Sequence, residues 1–242
     1  RHITFGDADF LNGPTHARAV AQALAARFPG TTFDVTAKIE HLIGHAELLP
    51  LLARAGCVFV VSAVESLSDT VLAHLQKGHT RADVVQALAL VRAAGLALRP
   101  SLVSFTPWTT LDDYLDVLDW VDAEGLWEHV DPVQWTIRLL VPPGSLLEHD
   151  PVMTPHLGRL VPSAFAYEWR HPDARMDRLH AQVTQAVKQG VREERAARVI
   201  FEHVRAHAEA WARPEERRSR PRKKAPPRQR RPVPRLTEPW FC

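Results

Sequence analysis

The 242-residue chain has little cysteine and no long apolar run. Its two cysteines, Cys57 and Cys242, are too few for a disulfide framework or a cysteine-rich metal site. No stretch approaches the roughly 20 apolar residues of a membrane-spanning helix, and no signal peptide precedes the apolar residues that follow Arg1. We therefore expect a cytoplasmic chain without membrane association, and one that lacks its true beginning because it starts without Met.

Several motifs that would indicate a particular chemistry are also missing. The chain contains no Walker motif, no Gly-x-Gly-x-x-Gly and no His-Glu-x-x-His. Ser62 and Ser66 are not part of a Gly-x-Ser-x-Gly elbow, so they do not indicate a hydrolase. His41 and His45 have the spacing of two metal ligands on a helix, as do His203 and His207, but neither pair has a third ligand nearby in the sequence. We predict no metal site.

Charge is distributed unevenly along the chain. Residues 213–235 hold eleven Lys or Arg and two Glu, a local net charge of +9, which leaves 19 basic and 26 acidic residues elsewhere. Almost nothing in this stretch is apolar, so it cannot bury enough surface to offset the entropy of ordering. We predict a core domain over 1–150, a helical extension over 151–211, and a disordered basic tail over 212–242.

Strand and helix patterns alternate through the first 145 residues. Strands are predicted at 3–5, 33–35, 57–64, 96–105 and 133–141, and that at 57–64 is continuously apolar, as in strands buried on both faces. Sequences resembling capping boxes, Thr80 to Asp83 and Thr110 to Asp113, open two of the intervening helices. The pattern predicts an α/β fold with a parallel sheet, either a barrel or a partial barrel that lacks its first βα unit.

Segment 52–57 (LARAGC) covers the end of a predicted helix and the start of the next strand. Segment 60–66 (VVSAVES) covers the rest of that strand and ends in Glu65 and Ser66. With the acidic turn after Phe5, the Lys77-Gly78-His79-Thr80 segment and the strand that ends near Pro107, their order resembles the radical S-adenosylmethionine superfamily over about residues 2–145. Two departures are clear: the three-cysteine cluster motif is absent, and Ala63 stands where the family has Gly. Besides a radical enzyme, the sequence also leaves open an intact parallel barrel protein without radical chemistry.

The resemblance implies an enzyme in which a 4Fe–4S cluster reduces S-adenosylmethionine to a 5′-deoxyadenosyl radical. The ligands of that cluster are absent from this chain, so the chain alone is expected to be inactive. Glu65 would accept hydrogen bonds from the ribose or the amino group of the cofactor, and Asp7 and Asp9 would approach its methionine part. Other predicted cofactor contacts are the charged side chains of Lys38 and Arg99, the strand-end Ser104, and the backbone of Leu139 and Leu140.

The end of the chain resembles one subgroup of these radical proteins, whose tail reads Cys-Sec-Ala-Glu-Pro or Cys-Cys-Ala-Glu-Pro. Residues 138–145 (RLLVPPGS) and 236–242 (LTEPWFC) carry this likeness. It implies that the reading frame continues through a selenocysteine codon, with Cys242 in a redox tip. The substrate is unknown, and an electron donor is an expected partner. The alternative function is nucleic-acid binding through the basic residues 213–235, on a non-catalytic scaffold.

Overall fold

The computed structural model describes residues 1–212, so the predictions made for the basic tail and for Cys242 lie outside the described residues. The described chain divides into two compact units. The sheet unit comprises Arg1–Glu65 and Gly78–Ser101, and the helical unit comprises Ser66–Lys77 and the chain from Leu102 onward. The predicted boundaries at 150 and 211 stay a prediction.

A four-stranded sheet forms the centre of the sheet unit. Its strands, β1 (His2–Thr4), β2 (Thr32–Thr36), β3 (Cys57–Glu65) and β4 (Ala97–Leu102), lie in the order β1-β2-β3-β4. The β1–β2 and β2–β3 pairs are parallel, with Ile3 opposite Phe33 and Val35 opposite Val60. The connecting helices are α1 (Pro14–Arg27), α2 (Ile39–Gly44), α3 (Leu49–Ala55) and α5 (Arg81–Ala93). The predicted alternation of strands and helices is confirmed.

Apolar and polar side chains alternate along β2. Phe33, Val35, Val60 and Val64 are fully buried and belong to the apolar core. Because successive side chains of a strand alternate between faces, Asp34, between Phe33 and Val35, lies on the opposite face. There Asp34 accepts hydrogen bonds from His2 Nε2 at 2.8 Å and from Thr4 Oγ1 at 2.9 Å.

Gly56 allows β3 to start close to the segment before β2. It ends α3 with a φ of +108°, in the left-handed region. A Cβ atom at this position would lie 2.5 Å from the carbonyl oxygen of Thr31, which belongs to the backbone. Both the dihedral angle and the close approach therefore require glycine.

Most of the helical unit consists of helices. α4 (Asp69–His74) and α6 (Leu111–Ala123) are followed by an antiparallel hairpin of β5 (Leu157–Val161) and β6 (Ala166–Trp169), then by α7 (Ala174–Arg192) and α8 (Ala197–Trp211). Both predicted capping boxes, at the starts of α5 and α6, are present. The last two helices, α7 and α8, are separated where Glu194 has a φ of +51°.

The strand predicted at 133–141 is largely replaced by a 3₁₀ helix, Pro132–Thr136. Asp131 caps this helix with its side chain, and the buried Trp135 packs against Phe201 at 5.5 Å between ring centroids. Proline has no amide hydrogen to donate to a strand ladder. Only one isolated parallel bridge, between Phe105 and Arg138, remains of the expected pairing. No described helix is both long and apolar enough to cross a membrane.

Candidate functional site

Polar side chains collect where β1, β2 and β3 end. Because parallel strands present their carboxyl ends at one edge of a sheet, this is the edge where α/β folds bind ligands. We call the set formed by Asp7, Asp9, Lys38, His41 and Glu65 the strand-end edge. All five belong to the sheet unit.

Glu65 is the last residue of β3 and has a φ of +61°. Residues other than glycine seldom adopt this left-handed conformation, which costs on the order of 1–3 kcal/mol and concentrates at functional sites. The side chain is half-buried. The surrounding sheet holds the strained backbone of Glu65 in place at the end of a buried strand. Its carboxylate can accept hydrogen bonds from hydroxyl or ammonium groups of a ligand.

Asp7 and Asp9 occupy the loop after β1 and make different contacts. Asp7 is exposed, and its Oδ1 accepts the backbone N–H of Asp9 at 2.9 Å, which closes a local turn. Asp9 Oδ1 accepts the backbone N–H of Lys38 at 3.2 Å, and Asp9 Oδ2 lies 2.8 Å from His41 Nδ1. Asp9 therefore ties the loop after β1 to the start of α2.

Lys38 lies directly before α2 and points its ammonium group at two carboxylates. Lys38 Nζ is 3.5 Å from Glu40 Oε1 and 3.9 Å from Asp9 Oδ2. Its side chain is 60% exposed, so water screens these pairs and each contributes little to stability. The ammonium group remains accessible to an anionic ligand.

Arg99 lies on the face of the sheet that also carries Asp34 and Phe59, and it is not one of the strand-end residues. It is buried on β4, and its guanidinium carbon is 4.9 Å from the centroid of the Phe59 ring.

Burial and the charge of Asp34 together raise the pKa of the Cys57 thiol to about 12, so this cysteine stays protonated. The structure thus places Cys57 in the core.

The remaining predicted contacts lie in the helical unit, where most of their polar groups are engaged. Ser104 Oγ donates to the backbone oxygen of Gln134 at 2.7 Å. Leu139 N–H donates to Phe105 O, and Leu139 O accepts from Trp169 Nε1, both at 2.8 Å. Leu140 is 64% exposed. Of the two leucines, Leu140 keeps a surface available to a ligand.

The strand-end edge offers carboxylates from Asp7 and Glu65 and an accessible ammonium group from Lys38. These carboxylates can accept hydrogen bonds from amino or hydroxyl groups of a ligand, and the ammonium group can pair with a ligand carboxylate. Within residues 1–212, no group of three or more His, Cys, Asp or Glu could hold a metal ion. His41, which sequence patterns indicated only through its spacing from His45, joins this site because Asp9 lies against it.

Comparisons with known proteins give a structural likeness alone. No protein-family model and no curated protein sequence matches the chain. The structure of OxsB, a cobalamin-dependent S-adenosylmethionine radical enzyme with aqua-cobalamin bound, matches with a TM-score of 0.67 and 16% sequence identity. OxsB with both aqua-cobalamin and S-adenosylmethionine bound matches with a TM-score of 0.65 and 17% identity.

The first OxsB match covers 86% of this chain and 38% of OxsB, and the second covers 78% and 34%. The chain therefore spans little more than a third of OxsB. At these identities the likeness establishes the fold alone, which is an α/β fold with a parallel sheet similar to part of OxsB. The predicted fold class is confirmed, whereas the cofactor roles of individual residues stay predictions.

Proposed function

We propose that this chain is the cofactor-binding portion of a radical S-adenosylmethionine enzyme. The observation that carries the proposal is the position of Glu65, whose backbone is held in the left-handed conformation at the carboxyl end of β3, in a fold similar to that of OxsB. Strain of this kind persists only where the surrounding structure imposes it. OxsB has been solved with S-adenosylmethionine bound, which supports the same ligand here.

In this proposal Glu65 would accept hydrogen bonds from the ribose hydroxyls or the amino group of the cofactor, and the Lys38 ammonium group would pair with its carboxylate. When bound beside a reduced 4Fe–4S cluster, the cofactor supplies a radical that abstracts hydrogen from a substrate. The cluster ligands would come from outside these 242 residues, since the sequence contains two cysteines. The substrate, the electron donor and the selenocysteine-containing tail remain parts of the prediction.

The test is binding of S-adenosylmethionine to the purified chain, measured by isothermal titration calorimetry. We expect Glu65→Gln to weaken binding about tenfold to a hundredfold, because one hydrogen bond to a charged group contributes about 1.5–3 kcal/mol. Glu47→Gln is the matched control: it makes the same change at an exposed residue of the 3₁₀ helix Ala46–Leu48. The control should bind like the wild type.

Two results would contradict the proposal. One is the absence of any binding of S-adenosylmethionine at millimolar concentration by a folded chain. The other is equal affinity in the Glu65→Gln variant and the Glu47→Gln control, which would give Glu65 a structural role. Circular dichroism of each variant separates loss of binding from loss of the fold.

A further inference from the structure

The contact between Asp9 and His41 determines which ring nitrogen of His41 carries hydrogen. Asp9 Oδ2 and His41 Nδ1 are 2.8 Å apart. An ionised carboxylate can only accept hydrogen bonds, so Nδ1 is the donor and carries the hydrogen. The neutral ring then has a lone pair on Nε2, which is the arrangement of a histidine that acts as a general base.

The carboxylate of Asp9 is held firmly enough to orient the ring. Its other oxygen, Oδ1, accepts the backbone N–H of Lys38 at 3.2 Å, and the Lys38 ammonium group is 3.9 Å from Oδ2. The Asp9 side chain is 12% exposed. A carboxylate fixed on both oxygens can position an imidazole and stabilise its protonated form, as in other carboxylate–histidine pairs.

The Nε2 atom of His41 is available to a ligand. It has no hydrogen-bond partner among residues 1–212, and the ring is 24% exposed. The nearest aromatic neighbour is His45, at 5.9 Å between ring centroids with the planes 34° apart. The ring thus has one nitrogen engaged by a carboxylate and the other unengaged, at the edge of the sheet where ligands bind.

We propose that Asp9 and His41 form a proton-accepting pair at the strand-end edge. His41 Nε2 takes a proton from a hydroxyl or ammonium group of a bound substrate, and the electron pair of that bond stays on the substrate atom. The Asp9 carboxylate stabilises the imidazolium that results. This inference goes beyond the proposed function and rests on the geometry of the sheet unit alone, so it holds whether or not the chain binds S-adenosylmethionine.

The competing explanation is that the contact merely ties the loop after β1 to α2. His171 of the helical unit shows what such a tie looks like. His171 Nε2 lies 2.9 Å from Thr109 O while its Nδ1 accepts the backbone N–H of Asp173, so both nitrogens of this ring contact backbone groups. The Asp9–His41 pair differs because its partner is a carboxylate and its second nitrogen is unengaged.

The first experiment determines the tautomer of the neutral His41 ring in the ¹⁵N-labelled chain by long-range ¹H–¹⁵N correlation NMR. The signals are assigned with the His41→Gln variant. We expect hydrogen on Nδ1, whereas isolated histidine favours hydrogen on Nε2. Hydrogen on Nε2 would overturn the proposal. This measurement does not use the Asp9→Asn variant, so it remains decisive if that substitution prevents folding.

The second experiment measures the reactivity of Nε2 with diethyl pyrocarbonate, followed residue by residue with peptide mass spectrometry. The reagent transfers its ethoxycarbonyl group to the nitrogen lone pair, and monoethyl carbonate leaves. We expect Asp9→Asn to slow modification of His41 at least fivefold, while Glu47→Gln leaves it unchanged. The exposed His16, on α1, serves as the internal reference in every sample. An equal rate for His41 in the Asp9→Asn variant and the wild type would show a structural tie and overturn the proposal.

Discussion

The interactions that stabilise the sheet unit internally differ from those that stabilise the helical unit internally. In the sheet unit a ladder of parallel strands and a close backbone approach at Gly56 fix the structure, and the strand-end edge carries the exposed side chains of Asp7 and Lys38. In the helical unit the 138–141 segment forms an isolated bridge with Phe105 and a backbone hydrogen bond from Tyr167 N–H to Val141 O, and side chains add further polar contacts. Polar groups are therefore available for function where the backbone already holds the fold.

Arg138 illustrates how the helical unit uses its polar side chains. Its guanidinium carbon lies 3.6 Å from the centroid of the Trp169 ring, one nitrogen donates to Asp177 Oδ1, and another donates to the backbone oxygen of Trp169, each at 2.7 Å. Asp177 Oδ2 in turn accepts the backbone N–H of His171. One guanidinium thereby joins the segment after the 3₁₀ helix, β6 and the first turn of α7.

The largest effect is expected from Gly56→Ala, which attacks the backbone packing of the sheet unit. The new Cβ would meet Thr31 O at 2.5 Å in a left-handed conformation. We expect a loss of about 3–5 kcal/mol in the free energy of unfolding, measured with urea. Gly95→Ala is the control, because Gly95 also has a positive φ, +76°, but a Cβ added there would meet no atom within 4 Å. It should lose only about 1–2 kcal/mol, and equal losses would contradict the steric explanation.

Arg138→Met should destabilise the helical unit by about 2–4 kcal/mol. The substitution keeps much of the contact with Trp169 but leaves Asp177 without its cation, and breaking such a pair on one side is costly. Lys38→Met is the comparison in the sheet unit, where the 60% exposed ammonium group should contribute less than about 1 kcal/mol. Urea unfolding of both variants measures the two losses in the free energy of unfolding. Equal losses would contradict the prediction.

The stability of the helical unit should fall as the pH drops below about 6.5. Burial lowers the pKa of His171 and of His180, and the positive charge of Arg138 lowers that of His180 further. Because the unfolded chain binds protons at higher pH than the folded one, this contribution is fully present above the unfolded pKa and is lost as the pH falls through the folded values.

The check on this pH dependence is the thermal midpoint measured between pH 8 and pH 5 in the wild type and in the His171→Gln, His180→Gln double variant. The variant should show a flatter pH profile because it lacks the two groups that take up protons on unfolding. His16→Gln, a change at an exposed position, should leave the slope as it is. An unchanged slope in the double variant would assign the pH dependence to other groups.

The smallest effect concerns Cys57, which should not react with iodoacetamide at pH 8 while the chain is folded. A pKa of about 12 leaves only about one thiol in ten thousand ionised at this pH. Mass spectrometry of the peptide that contains Cys57 measures the labelling, and unfolding in urea should restore it. Rapid labelling of the folded chain would mean that the start of β3 is open to solvent.

The strand ends and capping boxes could be predicted because their causes are local. Alternation of strands and helices, Gly56 after α3, and the Thr–Asp pairs at Thr80 and Thr110 all lie within a few residues of the structure they produce. The strand expected at 133–141 was not formed, since Pro132 and the tertiary packing of Trp135 favoured a 3₁₀ helix. Apolar residues alone could not distinguish these outcomes.

By itself the sequence determined the α/β class and the position of Glu65 at the end of a buried strand, because periodicity and turn residues act over short distances along the chain. Only the tertiary structure decided that Asp9 meets His41, 32 residues away, and that the N–H and C=O groups of Leu139 are engaged by Phe105 and Trp169. The physical reason is that a hydrogen bond depends on distance in space, and folding brings together side chains whose separation in sequence carries no signal.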